Sequence, residues 1–258
     1  MRPDTAVVLS GGGSRGAFQV GVLQELLKSV SPDVIIGTSV GALNGLFVCD
    51  HGNADGLEHI WSKLTHSFAF PINHSIFYRF SRANALYKNK NLRRLISQYS
   101  EARDFEDLKI PLYVNSTRLT DGRSVFFSKG PLLDPVLASC AVVPFYPPQI
   151  IDGLPYIDGG FSEFGGLSKA FDLKAKRVIL VDSGSVCDDS FDGVIDVTRH
   201  SLELVTRASL VHDIERFRKK VVLIAPKSLG NVHITDFSKS KEFMAEGILR
   251  CREALRQI

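Results

Sequence analysis

Apolar residues near the start of the chain occur in two short runs, and each run is followed by a longer stretch of helical periodicity. The runs at 6–9 and 33–36 are rich in β-branched residues, which favours buried strands. In the stretches at 18–30 and 40–49, apolar side chains recur every three or four residues, as on one face of a helix. The pattern predicts two consecutive strand–loop–helix units, and therefore an α/β fold with a mainly parallel sheet.

Further strands are predicted from shorter signals along the chain. Runs at 111–116 and 124–127 flank Asp121-Gly122, a dipeptide typical of a hairpin turn. Runs at 177–182 and 221–224 are continuously apolar, as expected for strands that are covered by helices on both faces. We expect these segments to extend the same sheet.

Residues 51–100 are more polar and more aromatic than the segments around them, and their periodicity is weaker. We expect helices and loops that cover the sheet and form a lid or one wall of a binding site. The aromatic residues of this region that motivate the prediction are Trp61, Phe68, Phe70, Phe77, Tyr78 and Phe80.

The chain has 258 residues, of which 44% are hydrophobic, and we expect them to form one domain spanning 1–258. The formal net charge is +3 and the basic residues form no block, so a nucleic-acid partner is not expected. The four cysteines are far apart, and no histidine lies beside them at metal-ligand spacing. Neither a metal site nor a disulfide framework is therefore predicted.

Membrane contact is expected to be peripheral, because there is no run of about 18 apolar residues. No segment has the order of a secretory signal, which favours a cytoplasmic location. Residues 238–258 are predicted to form an amphipathic helix, with Arg250, Arg252 and Arg256 near its apolar side. The residues predicted on the apolar side are Phe243, Ile248, Leu249 and Leu255. Such a helix can lie on an anionic bilayer, but packing on the protein's own core is the favoured interpretation.

A glycine-rich loop with glycines at positions 11, 13 and 16 lies between the first predicted strand and helix. This is also the context of a dinucleotide-binding fingerprint. That fingerprint requires an acid at the end of the second strand, where this chain has Ser39 and places Asp33 before the strand instead. The glycine spacing alone does not decide between the two uses.

Backbone N–H groups at a helix N-terminus stabilise an oxyanion as well as a phosphate. Three consecutive glycines at 11–13 would let the backbone approach a reacting carbonyl without obstruction by side chains. Arg15 is expected to brace this loop by donating to nearby carbonyls. A glycine turn that serves only tight packing remains the alternative.

The pentapeptide Gly37-Thr38-Ser39-Val40-Gly41 lies between the second predicted strand and the second predicted helix. In this context, G-x-S-x-G is the signature of a nucleophilic serine on a strained strand-to-helix turn. The positions two before and two after the serine lie close together in such a turn, which explains why both are glycine. The helix beginning at Val40 would direct its positive end toward a developing negative charge.

A nucleophilic serine needs a group that accepts its proton. His200, His212 and His233 follow Ser39, but the first two lie in a polar, helix-like stretch, where solvated or packed histidines are common. Asp158 is the other candidate base, because it follows a short apolar segment and precedes two glycines that leave room for a serine. An ordinary Asp-Gly turn remains the alternative for this residue.

Together, the segments 11–16, 37–41 and 158–160 resemble the patatin-like phospholipase family in their order, spacing and flanking sequence. The segment 138–148 also looks like the one that precedes the catalytic aspartate of that family. The resemblance extends from about residue 7 to about residue 184. It implies a three-layer α/β/α sandwich with a mainly parallel central sheet.

The resemblance also implies a Ser39–Asp158 dyad that hydrolyses carboxylic esters of phospholipids or lysophospholipids, without metal or cofactor. The implied oxyanion hole comprises Gly11, Gly12, Gly13 and Ser14. The implied supporting residues are Arg15, Gly16, Gly37, Gly41, Gly159 and Gly160.

Two departures from the family pattern concern the wall of the site and hence the choice of substrate. Residues 164–166 are Phe-Gly-Gly where the family often has an asparagine and a proline, and Val143 replaces an expected proline that comes one place later, at Pro144. Two other functions stay open from the sequence. One is a non-catalytic nucleotide- or acyl-group-binding module on a degenerate hydrolase scaffold, and the other is acyl transfer to an acceptor other than water.

Overall fold

The structure is a computed structural model that describes residues 2–74, 84–184, 193–217, 220–229 and 232–256. The strands are β1 (Thr5–Leu9), β2 (Val34–Thr38), β3 (Leu112–Arg118), β4 (Ser124–Phe127), β5 (Gln149–Ile151), β6 (Leu154–Asp158), β7 (Arg177–Val181) and β8 (Val221–Ile224). The helices are α1 (Gly16–Leu26), α2 (Val40–His51), α3 (Leu57–Ser62), α4 (His66–Ala69), α5 (Lys90–Tyr99), α6 (Leu133–Ser139), α7 (Leu167–Asp172), α8 (Val194–Phe217) and α9 (Ser240–Leu255).

All of these strands belong to one mixed sheet with the order β5-β6-β3-β2-β1-β7-β8, and β4 also pairs with β3. The five strands β3, β2, β1, β7 and β8 run parallel, whereas β4, β5 and β6 pair antiparallel. The carboxyl ends of β1 and β2 therefore lie at the same edge of the sheet. This edge brings the glycine loop after β1 next to Ser39 after β2.

The sheet has a hydrophobic core on each face, because side chains of a strand alternate between its two faces. In β1, Val7 and Leu9 belong to the core that contains α1, α2 and α9. Ala6 and Val8 belong to a second core with α7 and with Leu210 of α8. Helices thus cover both faces, and the predicted three-layer α/β/α fold with a mainly parallel sheet is confirmed.

Every strand predicted from the sequence is present, with end shifts of one or two residues. The hairpin β5–β6 was not predicted. It lies at an edge of the sheet, contains Pro155, and leaves Ile150 63% exposed, so that no regular alternation marks it in the sequence. The helices predicted at 18–30 and 40–49 correspond to α1 and α2.

The C-terminal helix α9 packs on the core, as its amphipathic pattern favoured. Phe243, Met244 and Cys251 are buried. The placement of Leu249 on the apolar side was wrong, because its side chain is 47% exposed. Gly21 of α1 and Gly247 of α9 allow close backbone contact, since an added Cβ would lie 1.9 Å from Met244 O at the first and 2.1 Å from Phe18 O at the second. Within the ranges described above, no helix is long and apolar enough to cross a membrane.

Candidate active site

Ser39 occupies the turn between β2 and α2 with φ 57° and ψ −126°. A positive φ is unusual for a residue with a Cβ, and such strain persists only where the surrounding structure imposes it. The side chain is 8% exposed and lines a cavity of about 150 Å³. The structure therefore places Ser39 in the backbone geometry that the G-x-S-x-G pattern predicts.

The two glycines that flank this turn are required by close packing. A Cβ at Gly37 would lie 2.6 Å from the Cα of Ala42, and a Cβ at Gly41 would lie 2.3 Å from Leu9 O. Gly16 is similarly enclosed, because a Cβ there would lie 2.4 Å from Val40 Cγ2. These contacts explain why the sequence has glycine at all three positions.

Residues of the α6 segment hold the backbone of Ser39 from both sides. The N–H of Ser39 donates to Ser139 Oγ at 2.8 Å, and the Cys140 thiol donates to Ser39 O at 3.4 Å. Ser139 is fully buried, and its hydroxyl satisfies an N–H that the strained turn would otherwise leave without a partner. Sequence reasoning recognised this segment only by its resemblance and assigned no contact to Ser139.

Asp158 ends β6 and reaches the same cavity as Ser39. It is 3% exposed, and its Oδ1 accepts the N–H of Gly160 at 2.8 Å. Its other oxygen, Oδ2, is buried and has no partner at hydrogen-bond distance among the described residues. One oxygen of the carboxylate is thus fixed by the backbone, and the other is available.

Burial raises the pKa of Asp158 to about 7. The Ser39 hydroxyl and the Gly160 N–H interact with the carboxylate and lower its pKa, but burial has the larger effect. The interaction with Ser39 shows that the two side chains are neighbours, although no full hydrogen bond joins them at Oδ2. Contacts of this kind are often loose when no substrate is bound.

The turn after Asp158 is held by Asn115 of β3. The Nδ2 of Asn115 donates to Glu163 O at 2.6 Å and to Gly159 O at 3.2 Å. A Cβ at Gly159 would lie 2.5 Å from Asn115 O, so the turn packs directly on β3. Asn115 is fully buried, and it lies 44 positions before Gly159, so no local sequence pattern indicates this role.

The glycine loop lies beside Ser39, since a Cβ added at Gly11 would be 3.4 Å from Ser39 Cβ. Two of the four predicted oxyanion donors are engaged within the protein. The N–H of Gly11 donates to Phe164 O at 3.3 Å, and that of Ser14 donates to Ile234 O at 2.7 Å. Within the described part of the chain, the N–H groups of Gly12 and Gly13 make no hydrogen bond, and both residues line the cavity.

Arg15 is 1% exposed and braces the loop mainly through a partner that the sequence did not suggest. Its Nη2 lies 2.6 Å from Oε1 of Glu203 on α8, whereas its bond to Gly12 O is long, at 3.4 Å. Burial lowers the pKa of Arg15, and the Glu203 carboxylate opposes that shift. Because Glu203 lies 188 positions further along the chain, no local motif indicates the pair.

Apolar side chains form most of the cavity around Ser39 and Asp158. Phe70 and Leu92 come from the 51–100 region, in agreement with the wall predicted there, whereas Phe77, Tyr78 and Phe80 lie outside the described residues. The apolar lining residues are Val40, Leu43, Leu64, Ala69, Phe70, Leu92, Val142, Phe145, Phe161, Phe164, Leu202, Ile234 and Phe237. Phe164, one of the departures from the family pattern, is thus part of the wall.

The described lining of this cavity includes no histidine. His212 is exposed on α8, and Nδ1 of His233 lies 2.6 Å from Oγ1 of Thr235. Asp33 lies at the opposite edge of the sheet, where its Oδ2 accepts the N–H groups of Asp4 and Thr5. In the described ranges, no group of three or more His, Cys, Asp or Glu is arranged to hold a metal ion.

A strained serine after a parallel strand, with a buried carboxylate and free amides in one cavity, defines an α/β protein with serine-hydrolase geometry. The chain belongs to the patatin-like phospholipase family, whose model matches residues 7–170. The resemblance inferred from the motifs is therefore confirmed.

Individual relatives agree with this assignment. Lysophospholipase NTE1 of Pyricularia oryzae is 25% identical over 184 residues, which is 71% of this chain and 12% of the relative. Patatin-like phospholipase domain-containing protein 7 of Rattus norvegicus is 30% identical over 186 residues, 70% of this chain and 14% of the relative. The chain thus spans only a small part of the length of these relatives.

A solved structure extends the similarity beyond the region of the family model. The match to the crystal structure of VipD from Legionella pneumophila includes 100% of this chain and 67% of the VipD chain. The TM-score is 0.53 and the sequence identity is 16%. At this identity the comparison supports the fold alone.

Proposed function

We propose that this chain is a serine-dependent lipid acyl hydrolase that cleaves carboxylic esters of phospholipids or lysophospholipids. The observation that carries the proposal is the position of the strained Ser39 beside a buried carboxylate with one available oxygen. The names of the relatives support a phospholipid-type substrate, and the apolar lining of the cavity suits an acyl chain.

In the proposed first half-reaction, Ser39 Oγ attacks the ester carbonyl while its proton moves to Asp158. The carbonyl oxygen becomes an oxyanion, for which the N–H groups of Gly12 and Gly13 are the available donors. The tetrahedral intermediate then collapses, the C–O bond to the alcohol breaks, and Asp158 returns the proton to the departing alcohol. An acyl group remains on Ser39.

In the second half-reaction, water attacks the acyl carbonyl and gives a proton to Asp158. When the second intermediate collapses, Ser39 Oγ leaves and takes that proton back, and the fatty acid is released. A carboxylate with a pKa near 7 can accept and return a proton at neutral pH, which suits this double role.

Two variants test the proposal. Ser39→Ala is expected to abolish both hydrolysis of a p-nitrophenyl acyl ester and labelling by a fluorophosphonate probe, because the attacking oxygen is gone. Asp158→Asn is expected to lower kcat by about 10²–10⁴-fold, the range for loss of a general base. The matched control is Asp152→Asn, which changes an exposed Asp-Gly turn six positions earlier and should retain full activity.

Peptide mapping of the labelled wild-type protein gives the decisive result. The label should be on Ser39. Labelling of another residue, or undiminished hydrolysis by a folded Ser39→Ala protein, would exclude the proposed mechanism.

A further inference from the structure

Among the described side chains of α8, the exposed ones before position 212 carry no charge. Large apolar side chains among them form one face of the helix and are strongly exposed, with Val194 at 83%, Val205 at 67% and Leu204 at 59%. The face also includes Val197 and Val211, and every exposed side chain described between positions 193 and 211 is uncharged. Exposed apolar patches are typical of sites where a protein contacts another protein or a membrane.

This face lies at the end of the molecule where the cavity is. The C-terminal end of α8 is fixed by stacking of Phe217 on Phe171, with ring centroids 4.1 Å apart. Closer to the N-terminus of α8, Arg207 pairs with Asp182 just after β7, and Glu203 pairs with Arg15 of the glycine loop. The part of α8 before Glu203 is therefore on the cavity side of these contacts, and it spans about 14 Å along the helix axis at 1.5 Å per residue.

The opposite side of the same helix lines the cavity. Leu202, Glu203 and Thr206 face the space that contains Ser39. One helix thus forms a wall of the cavity on one side and an apolar outer surface on the other. A molecule held on the outer face would lie next to the entrance to the cavity.

A second helix of the cavity wall supplies positive charge. Leu92 of α5 lines the cavity, and the exposed side chains of Lys90 and Arg94 lie on the same helix. Within the described residues neither cation forms an ion pair, and α5 contains no acidic residue. Lys88, just before the helix, is also exposed.

We propose that the apolar face of α8 and the basic face of α5 together dock the protein on an anionic lipid surface. Interfacial helices bind such surfaces through exposed apolar side chains together with basic ones. The inference rests on the proposed function, since it describes how a lipid reaches the cavity from a bilayer. It assigns membrane contact to α8 and α5 and not to the C-terminal helix α9, where Phe243, Met244 and Cys251 pack on the core.

Vesicle co-sedimentation of the full chain tests the assignment. All proteins carry Ser39→Ala so that the lipids stay intact, and the vesicles are phosphatidylcholine with or without phosphatidylglycerol. Leu204→Glu should weaken binding to the anionic vesicles by at least about tenfold, because it places a charge in the apolar contact. Leu249→Glu is the matched control: Leu249 is also exposed, at 47%, but it lies on α9, and binding should be unchanged.

The basic face is tested with Lys90→Glu/Arg94→Glu, which should weaken binding to the anionic vesicles at low salt and have little effect at high salt. Circular dichroism confirms folding of each variant. Equal binding by the Leu204→Glu and Leu249→Glu proteins, or absence of binding by the parent protein, would overturn the assignment. A fall in molecular mass on Leu204→Glu in sedimentation would instead identify the face as a contact between copies, and would also overturn it.

Docking and catalysis can fail independently in this design. Sedimentation does not require a functional Ser39, so vesicle binding stands even if no ester is cleaved. Conversely, Leu204→Glu in the otherwise wild-type chain should still hydrolyse a soluble short-chain ester at the normal rate, because Leu204 does not line the cavity.

Discussion

At the scale of single residues, the two carboxylate oxygens of Asp158 differ in their hydrogen bonding. Oδ1 is fixed by the Gly160 N–H, and Oδ2 has no partner at hydrogen-bond distance among the described residues. Because both are buried, the charged form is poorly solvated and the pKa rises to about 7. The carboxylate is therefore held in place by one oxygen, and its raised pKa suits the proposed role as the base for Ser39.

The first prediction at this scale concerns pH. The kcat/KM for a soluble ester should rise with pH through about 7, since Asp158 must be deprotonated to act as the base. The neighbouring Cys140 and Tyr146 should not contribute, because burial raises the pKa of each and keeps it protonated in this range. A flat profile from about pH 5 to about pH 9 would contradict the assignment of the base.

The raised pKa of Asp158 should make the folded protein less stable as pH rises, whereas it should make kcat/KM increase. In the folded state Asp158 binds its proton more tightly than in the unfolded chain, so its contribution to the free energy of unfolding falls as pH rises from 3.8 to about 7. In Asp158→Asn this dependence should be absent. Urea unfolding of both proteins across that range measures the difference.

At the scale of elements, the parts of the site differ in how far they could be predicted. The turn at Ser39 and the glycine loop are local structures with required small residues, so their sequences predicted their positions. Asn115 and Glu203 support the site from elements that are distant in sequence, and no local pattern encodes such pairings. The hairpin β5–β6, which carries Asp158, was missed because an edge hairpin has no regular apolar alternation.

The prediction at the scale of elements concerns the pairing of α8 with the glycine loop. Glu203→Gln removes the charge that faces the buried Arg15, and should lower the free energy of unfolding by about 1–3 kcal/mol. It should also reduce kcat, because the loop that carries Gly12 and Gly13 loses a brace. Urea unfolding and steady-state kinetics measure the two effects, with Glu215→Gln, on the exposed side of α8, as the control. Unchanged values for Glu203→Gln would show that the pair does not support the loop.

At the scale of the whole molecule, the two ends of the chain are joined through α1 and α9. Gly21 and Gly247 allow these helices to approach backbone to backbone, and α1 begins directly after the glycine loop. The segment before α9 also contacts the loop, since Ile234 O and His233 O accept hydrogen bonds from the N–H and the hydroxyl of Ser14. The distal part of the chain thus shapes the site although it contributes no proposed catalytic group.

The prediction at the scale of the whole molecule tests this packing. Gly21→Ala should lower the free energy of unfolding by about 1–3 kcal/mol, because the new Cβ would lie 1.9 Å from Met244 O and the helices must separate. Urea denaturation measures the change. Gly193→Ala is the control, since a Cβ there meets nothing within 4 Å. If Gly21→Ala were as stable as the wild type, the close approach of the two helices would be refuted.

The contact between Ile234 and Ser14 also limits how far the chain can be truncated from its C-terminal end. The family model ends at residue 170, but Glu203, Ile234 and α9 all act on the glycine loop or on α1 from beyond that point. A fragment trimmed to the matched region would keep Ser39 and Asp158 yet lose the supports of the loop and the cover of α1. Expression designs, fusions and chimaeras should therefore retain the chain through Leu255, because supports of the glycine loop and of α1 lie beyond the residues that the family model matches.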